Sequence, residues 1–238
     1  MTALRKISTL FCLAATALAS SGLAHADDPA LKPGLDPGGM AVAILADGFD
    51  YTNPALAKIL ARDGEGEAIA WDAVDEDHRP YRKDGQGTAA ALTTATSGNV
   101  RIVQVRIDPK DAASLARGIA FAAQTPAKIV LALLPAGDAP SRDVVIAAAR
   151  KFETILFIGS APALTLDDKA PSDGIANLIL AEAGEHGHAA AEALAAIWEC
   201  ASGPPEGLSA AELKRAILDR RKETATAECH PKGAGKPD

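Results

Sequence analysis

Short, unbroken apolar runs alternate with amphipathic segments between residues 40 and 222. The first run, Ala41 to Leu45, has the length and composition of a strand that is buried on both faces, as in a parallel sheet. Comparable runs predict further strands at 68–74, 128–134, 154–158 and 175–180. Apolar spacing and small-residue composition predict helices at 54–62, 111–123, 142–152, 184–199 and 210–222.

The alternation of these elements predicts an α/β fold with three layers, in which one parallel sheet lies between helices on both faces. Two helix starts have local signals. Ser141 is the predicted N-cap of the helix at 142–152, and Ser209 with Glu212 predicts a capping box before the last helix.

The beginning of the chain has the pattern of a secretory signal peptide over residues 1–26. Arg5 and Lys6 precede a short apolar core, and Ala24-His25-Ala26 forms a cleavage site before Asp27. The alternative is an uncleaved anchor, but the apolar core is short for a membrane span. We therefore expect an exported protein, periplasmic or secreted, that has no membrane contact after cleavage.

The composition changes again on either side of the predicted domain. Residues 27–39 are rich in Pro, Gly and Asp, which predicts a loose N-terminal arm. The α/β domain is expected at 40–225, and a polar, mobile tail at 226–238.

Charge and cysteine content restrict the possible partners and the compartment. The chain of 238 residues has a net charge of −7, which argues against nucleic acid and anionic membrane surfaces as partners. Cys200 and Cys229 remain after Cys12 leaves with the signal peptide, and an oxidising compartment favours a disulfide between them. No phosphate-cradling loop or dinucleotide fingerprint is present, so no cofactor is expected.

Two motifs carry a family resemblance, the first across the end of the first predicted strand and the second at the end of the polar loop 75–87. The first reads Ala43-Ile-Leu-Ala-Asp-Gly-Phe-Asp-Tyr-Thr-Asn-Pro54, and the second reads Asp84-Gly-Gln-Gly-Thr-Ala-Ala-Ala91. They resemble the segments of subtilisin-like serine peptidases (the subtilase family, peptidase S8/S53) that carry the catalytic aspartate and histidine. Arg101-Ile-Val-Gln-Val-Arg106 resembles the strand that follows the histidine segment in the family. The helix that opens at Gly184-Glu-His-Gly-His188 resembles the family's serine-bearing helix, and the order of the segments is that of the family.

This resemblance implies a compact subtilisin-like fold with a substituted catalytic triad. The aspartate position of the family falls on Ala46, the histidine position on Gln86 and the serine position on His186, while Pro162 stands nearest to the oxyanion-hole asparagine. Alanine has no polar side-chain atom, and the glutamine amide does not titrate near neutral pH. All three triad positions therefore lack the group that the family's chemistry needs.

Two substitutes for the missing groups are conceivable. Asp47 follows Ala46, but successive strand residues point to opposite faces, so its carboxylate points the wrong way unless a bulge intervenes. His186 and His188, with Asp47 or Glu185, are candidate metal ligands, although nothing fixes a third ligand. The alternative for these histidines is a loop or helix-cap position without a metal.

We therefore expect an exported subtilase-like domain that has lost serine peptidase catalysis and has a binding or structural role toward a protein or peptide ligand. The alternative is a hydrolase, either a serine-type endopeptidase or a metal-dependent enzyme, with a non-standard set of residues. The lack of a complete set of nucleophile, base and orienting carboxylate favours the first. The short stretch between Pro162 and His186 also leaves little chain for a substrate cleft.

Overall fold

The computed structural model describes residues 28–96, 99–135, 139–161, 174–182 and 207–226. Within these ranges the chain forms six strands and five helices. The strands are β1 (Met40–Ala46), β2 (Ala70–Asp72), β3 (Val100–Arg106), β4 (Ile129–Ala132), β5 (Leu156–Ala161) and β6 (Leu178–Glu182). The helices are α1 (Pro54–Ala57), α2 (Gly87–Ala95), α3 (Ala112–Ala122), α4 (Ala139–Lys151) and α5 (Ala210–Thr226).

The six strands form one sheet in the order β2-β3-β1-β4-β5-β6. Every pairing between neighbouring strands is parallel. β1 lies inside the sheet, where Met40 pairs with Val100 of β3 and Val42 pairs with Ile129 of β4. The predicted parallel α/β class is therefore confirmed.

Both faces of the sheet are covered by helices. Along β1, Val42, Ile44 and Ala46 belong to a buried cluster that includes residues of α1, α2 and α5. Ala43 and Leu45 belong to a second cluster, on the opposite face, that includes residues of α3 and α4. Because neither face meets water, the strand is apolar at consecutive positions and not only at alternate ones.

The predicted helix at 54–62 is wrong beyond its first turn. α1 ends at Ala57, and Leu60 instead forms a parallel β-bridge with Ile102 of β3. The N–H of Ala61 donates to the carbonyl of Ile102 at 2.8 Å. The apolar spacing that predicted a helix here is satisfied by extended backbone, which buries Leu60 and Ala61 beside β3.

One predicted helix cap is wrong and the other is confirmed. α4 begins at Ala139, so Ser141 lies inside the helix, where its buried hydroxyl donates to the carbonyl of Pro109 at 3.4 Å. The capping box forms as predicted, because the N–H of Ser209 donates to the Glu212 carboxylate at 2.9 Å and the N–H of Glu212 donates to Ser209 Oγ at 3.4 Å.

Residues 28–39 contain no helix or strand, but specific contacts attach this arm to the domain. The Asp36 carboxylate accepts hydrogen bonds from the N–H of Arg62 at 2.8 Å and the guanidinium of Arg101 at 2.9 Å. The hydroxyl of Tyr51 donates to the carbonyl of Pro29 at 2.7 Å. The arm therefore extends from the loop after β1 to the beginning of β3.

The proposed division of the chain stays a prediction. The signal peptide at 1–26 lies outside the described residues, as does the tail after Thr226. In the part of the chain that the structure describes, no helix combines the length and the apolar character that a membrane span requires.

Candidate functional site

The carboxyl ends of the strands define the edge where a functional site is expected. In open parallel sheets, ligands bind beyond these ends, at the point where the strand order reverses direction. That point is β1, because the chain continues from β1 to β2 and β3 on one side of it and then crosses to β4, β5 and β6 on the other side. Ala46, the last residue of β1, pairs with Arg106, the last residue of β3. Ala46, to which the sequence resemblance assigns the aspartate position, therefore lies at this edge.

The side chain of Ala46 is fully buried. It belongs to the cluster on the α2 side of the sheet, together with Phe49, Ala90 and Ala91. In this place the methyl group contributes packing, and it offers no atom that could orient a catalytic base.

The two motifs identified in the sequence form neighbouring loops. The N–H of Phe49 donates to the carbonyl of Pro80 at 3.0 Å, and the N–H of Arg82 donates to the carbonyl of Phe49 at 3.0 Å. The N–H of Gly87 donates to the carbonyl of Gly48 at 3.1 Å. The structure thus brings the Ala46 segment and the Gln86 segment together.

Close contact between these loops explains the glycines on both sides of Gln86. A Cβ atom at Gly85 would lie 2.3 Å from the carbonyl oxygen of Gly48, and a Cβ atom at Gly87 would lie 2.4 Å from the ring of Phe49. Gln86 is the N-cap residue of α2, but its exposed side chain makes no capping hydrogen bond. The close contact therefore requires glycine at positions 85 and 87, whereas it places no steric restriction on the exposed side chain of Gln86.

Asp47 connects the two loops through its carboxylate. Oδ1 accepts a hydrogen bond from the N–H of Gln86 at 2.7 Å, and Oδ2 lies 3.3 Å from the guanidinium of Arg82. The expectation that the carboxylate points away from this side is wrong, because Asp47 lies beyond the end of β1, where strand alternation no longer applies. A negative charge at the start of α2 is favourable, so the contacts of Asp47 are those of a structural residue.

A partly buried ion cluster adjoins Ala46 on the β3 side. One guanidinium nitrogen of Arg106 lies 2.6 Å from a carboxylate oxygen of Asp72 and 2.6 Å from one of Asp75. Burial raises the pKa of Asp72 although hydrogen bonds from the main chain and Arg106 oppose it. Burial alone would lower the pKa of Arg106, but its bonds to the two carboxylates outweigh burial and raise it.

Sequence reasoning missed this cluster. The available signal was an acid at the end of one apolar strand and a basic residue at the end of another, which parallel pairing places side by side. Asp72 pairs with Arg106 in the register of β2 and β3. The opposite charges of Asp72 and Arg106 form an ion pair, which links β2 to β3.

The remaining predicted site residues lie outside the described residues. These are the serine-position residue His186, the second histidine His188, the oxyanion-position residue Pro162 and the cysteines Cys200 and Cys229. Their roles stay predictions. Among the residues that the structure does describe, no group of three or more His, Cys, Asp or Glu side chains could hold a metal ion.

The described residues define a parallel α/β domain in which main-chain hydrogen bonds join two loops at the carboxyl edge of the sheet. Comparison with models of known protein families finds no match, and comparison with the sequences of curated proteins finds none either. Among solved structures, the chain is similar to one titled "Crystal structure of a cold adapted subtilisin-like serine proteinase". The two are 13% identical, the match covers 77% of this chain and 82% of the other, and the TM-score is 0.46.

Proposed function

We propose that this chain is an exported, subtilase-like domain that does not cleave peptides and that binds a protein or peptide. The observation that carries the proposal is the contact between the two motif loops, in which Asp47 binds the main chain of Gln86 beside the buried Ala46. Serine peptidase chemistry needs a base that takes the proton of the nucleophile and a carboxylate that orients the base. Neither motif, 43–54 or 84–91, contains a histidine, and Asp47 is engaged in structural contacts.

The size of the expected catalytic defect supports a binding role. Members of a catalytic triad act as a unit, and loss of the serine or the histidine alone lowers turnover by about 10⁶-fold in subtilisin. The substitutions at Ala46, Gln86 and His186 would each remove one member. Binding surfaces do not depend on the triad, so a ligand can still be recognised without turnover.

The test combines active-site labelling with hydrolysis. The purified chain is treated with a serine-directed fluorophosphonate and, separately, incubated with unstructured casein, with an active subtilisin as the positive control. We expect neither labelling nor casein cleavage. Stoichiometric labelling of one serine, abolished when that serine is replaced by alanine, would instead establish the competing serine hydrolase. Casein cleavage that a chelator abolishes would establish the metal-dependent alternative.

Export is the second part of the proposal, and the cleavage motif Ala24-His25-Ala26 supports it. N-terminal sequencing of protein recovered from outside the cytoplasm should begin at Asp27. Recovery of cytoplasmic protein that begins at Met1 would contradict this part of the proposal.

A disulfide between Cys200 and Cys229 accompanies export in this proposal. The bond would close a loop of about 30 residues, which contains α5, and would stabilise the domain by about 3 kcal/mol if it is unstrained. Intact mass measured with and without reductant should differ by two hydrogen atoms. Two free thiols in protein taken from the native compartment would exclude the bond.

A further inference from the structure

A cavity of about 530 Å³ lies against the N-terminal arm and β2. Three large apolar residues contribute to its lining and are called the apolar wall here: Leu31 of the arm, Ile69 before β2, and Phe121 of α3. Cavities of a few hundred cubic ångström that combine apolar surface with a few polar groups are typical of small-ligand sites. The lining includes neither Ala46 nor Gln86.

Aromatic contacts hold two parts of the lining in place. Trp71 of β2 stacks on Phe121 with ring centres 5.7 Å apart, and its edge meets His78 at 5.1 Å. The ring nitrogen Nδ1 of His78 also lies 3.0 Å from the carbonyl of Ala70. The loop after β2 and the end of α3 are therefore fixed relative to the sheet, which preforms the cavity.

The outer edge of β2 is already paired beside this cavity. The carbonyl of Ala70 is bonded to His78, and the N–H of Asp72 donates to the carbonyl of Asp77 at 2.7 Å. A peptide therefore cannot bind here as an added strand, the mode that depends on free main-chain groups at a sheet edge. Recognition at this place has to come from side chains.

Charged residues line the cavity from two different segments. The acidic side, Asp63 and Glu67, precedes β2, and the basic side, Arg79, follows it next to His78. Among the ion pairs of the described residues, none joins Arg79 to either acid. Charges of both signs thus line one cavity together with the apolar wall.

We propose that this cavity binds a short zwitterionic peptide with apolar side chains. The acidic side binds the α-ammonium group, the basic side binds the α-carboxylate, and the apolar wall contacts the side chains. A ligand of this class matches all three features, whereas a purely apolar ligand would use only the apolar wall. The inference does not depend on the loss of catalysis, because the cavity lies apart from the triad-equivalent positions.

The first test compares four forms of one dipeptide by isothermal titration calorimetry with the full chain. Leucyl-leucine should bind with a measurable affinity. Acetylation of its amino group, or amidation of its carboxyl group, should each weaken binding about tenfold or more, because each removes a charge-assisted contact. Equal binding by the doubly blocked form, or no binding of leucyl-leucine at all, would overturn the proposal.

The second test assigns each end of the ligand to its side of the cavity. Arg79→Gln should weaken binding of leucyl-leucine about tenfold but leave binding of leucyl-leucinamide unchanged. Glu67→Gln should weaken leucyl-leucine but not its N-acetyl form. The matched controls are Lys83→Gln and Glu65→Gln, which remove exposed charges from the same two segments but outside the cavity lining.

Control variants should bind leucyl-leucine as the parent does, and thermal unfolding confirms that each variant is folded. If Arg79→Gln binds the free dipeptide as tightly as the parent does, the assignment of the basic side is wrong.

Discussion

Asp47 lies one residue after the position that carries the catalytic aspartate in the subtilase pattern, and its carboxylate has two structural partners. It accepts the N–H of Gln86 at the start of α2 and pairs with Arg82. The first N–H groups of a helix have no partner inside the helix, so an external carboxylate that accepts one of them stabilises the helix. Asp47 thus attaches the loop after β1 to α2.

We expect Asp47→Ala to lower the free energy of unfolding by about 1 kcal/mol, as the loss of a helix-capping side chain does. Urea unfolding at neutral pH measures the change. Asp84→Ala is the matched control, because Asp84 is an exposed acid in the same loop region, and such surface changes stay within about 0.5 kcal/mol. Equal effects of the two substitutions would mean that the contacts of Asp47 contribute nothing specific.

Gln104 has a side chain that its surroundings do not satisfy. It is fully buried in β3, and neither its amide oxygen nor its amide nitrogen has a hydrogen-bond partner within the described part of the chain. Its partners in the sheet register are the apolar residues Ile44 and Ala70. Burial of an unpaired amide is costly, whereas an apolar group of similar shape carries no such cost.

Gln104→Met should therefore raise the free energy of unfolding, by about 1–2 kcal/mol. Methionine keeps the unbranched shape of glutamine and removes the polar atoms. The exposed Gln124 in the turn after α3 provides the control, and Gln124→Met should change stability by less than about 0.5 kcal/mol. A loss of stability in Gln104→Met would show that the amide has a partner in solution.

At the scale of whole segments, the attachment of the N-terminal arm to the domain depends on Asp36. Burial opposes ionisation of this carboxyl, but hydrogen bonds from the N–H groups of Arg62 and Gly38 and from the guanidinium of Arg101 outweigh burial and lower its pKa. The pKa in the folded protein therefore lies below the ordinary value of 3.8. The ionised carboxylate makes its full contribution to the free energy of unfolding above pH 3.8, and this contribution is lost as the pH falls through the folded-state pKa.

Asp36→Asn should be less stable than the parent near neutral pH, by about 1–2 kcal/mol, because charge-assisted bonds to the arm are weakened. The difference should shrink below about pH 4 and disappear once Asp36 of the parent is protonated. Urea unfolding across a pH series measures it, with Asp84→Asn as the control for a general effect of charge. A difference that does not change with pH would contradict the role of the ionised carboxylate.

The strands buried on both faces were the elements that the sequence predicted best. The run predicted at Ala41–Leu45 became Met40–Ala46, because a central parallel strand is apolar at nearly every position. The strand at 101–106 became Val100–Arg106, although Arg101, Gln104 and Arg106 interrupt its apolar run and only the family resemblance indicated it. The helix at 54–62 was overestimated since Leu60 is buried by β-bridge packing, which apolar spacing alone does not distinguish from a helix. Tertiary contacts with β3 therefore determine the backbone conformation of the segment after Ala57.

Only the local part of the candidate site could be predicted from the sequence. The motifs around Ala46 and Gln86 are local patterns that sequence comparison can detect. The contacts that join them are main-chain contacts between segments distant in the chain, such as Gly87 with Gly48. Such contacts leave no periodic trace, although the two glycines beside Gln86 become understandable once the loops are seen together.

For the molecule as a whole, placing the three catalytic side chains of subtilases at the positions that the resemblance assigns to them should not produce peptidase activity. We expect the variant Ala46→Asp, Gln86→His and His186→Ser to leave casein uncleaved. Ala46 is fully buried, so the new carboxylate would enter an apolar cluster at a cost in free energy. The short stretch between Pro162 and His186 also leaves little chain for a substrate cleft.

Casein hydrolysis by this triple variant is compared with the parent, and thermal unfolding shows whether the variant is folded. The single variant Ala46→Asp serves as the control for the cost of the buried carboxylate. Robust activity of a folded triple variant would mean that a working cleft persists and that the triad alone was lost.

The central position of β1 also determines the order in which the protein can assemble. β1 precedes both of its neighbours, β3 and β4, in the chain, so Met40 cannot pair until Val100 has been made and Val42 cannot pair until Ile129 has been made. Pairings between such distant segments form slowly. Until they form, an apolar strand with two open edges is exposed to association with other chains. Any fragment that stops before β4 therefore leaves one edge of the apolar strand β1 unpaired and prone to association.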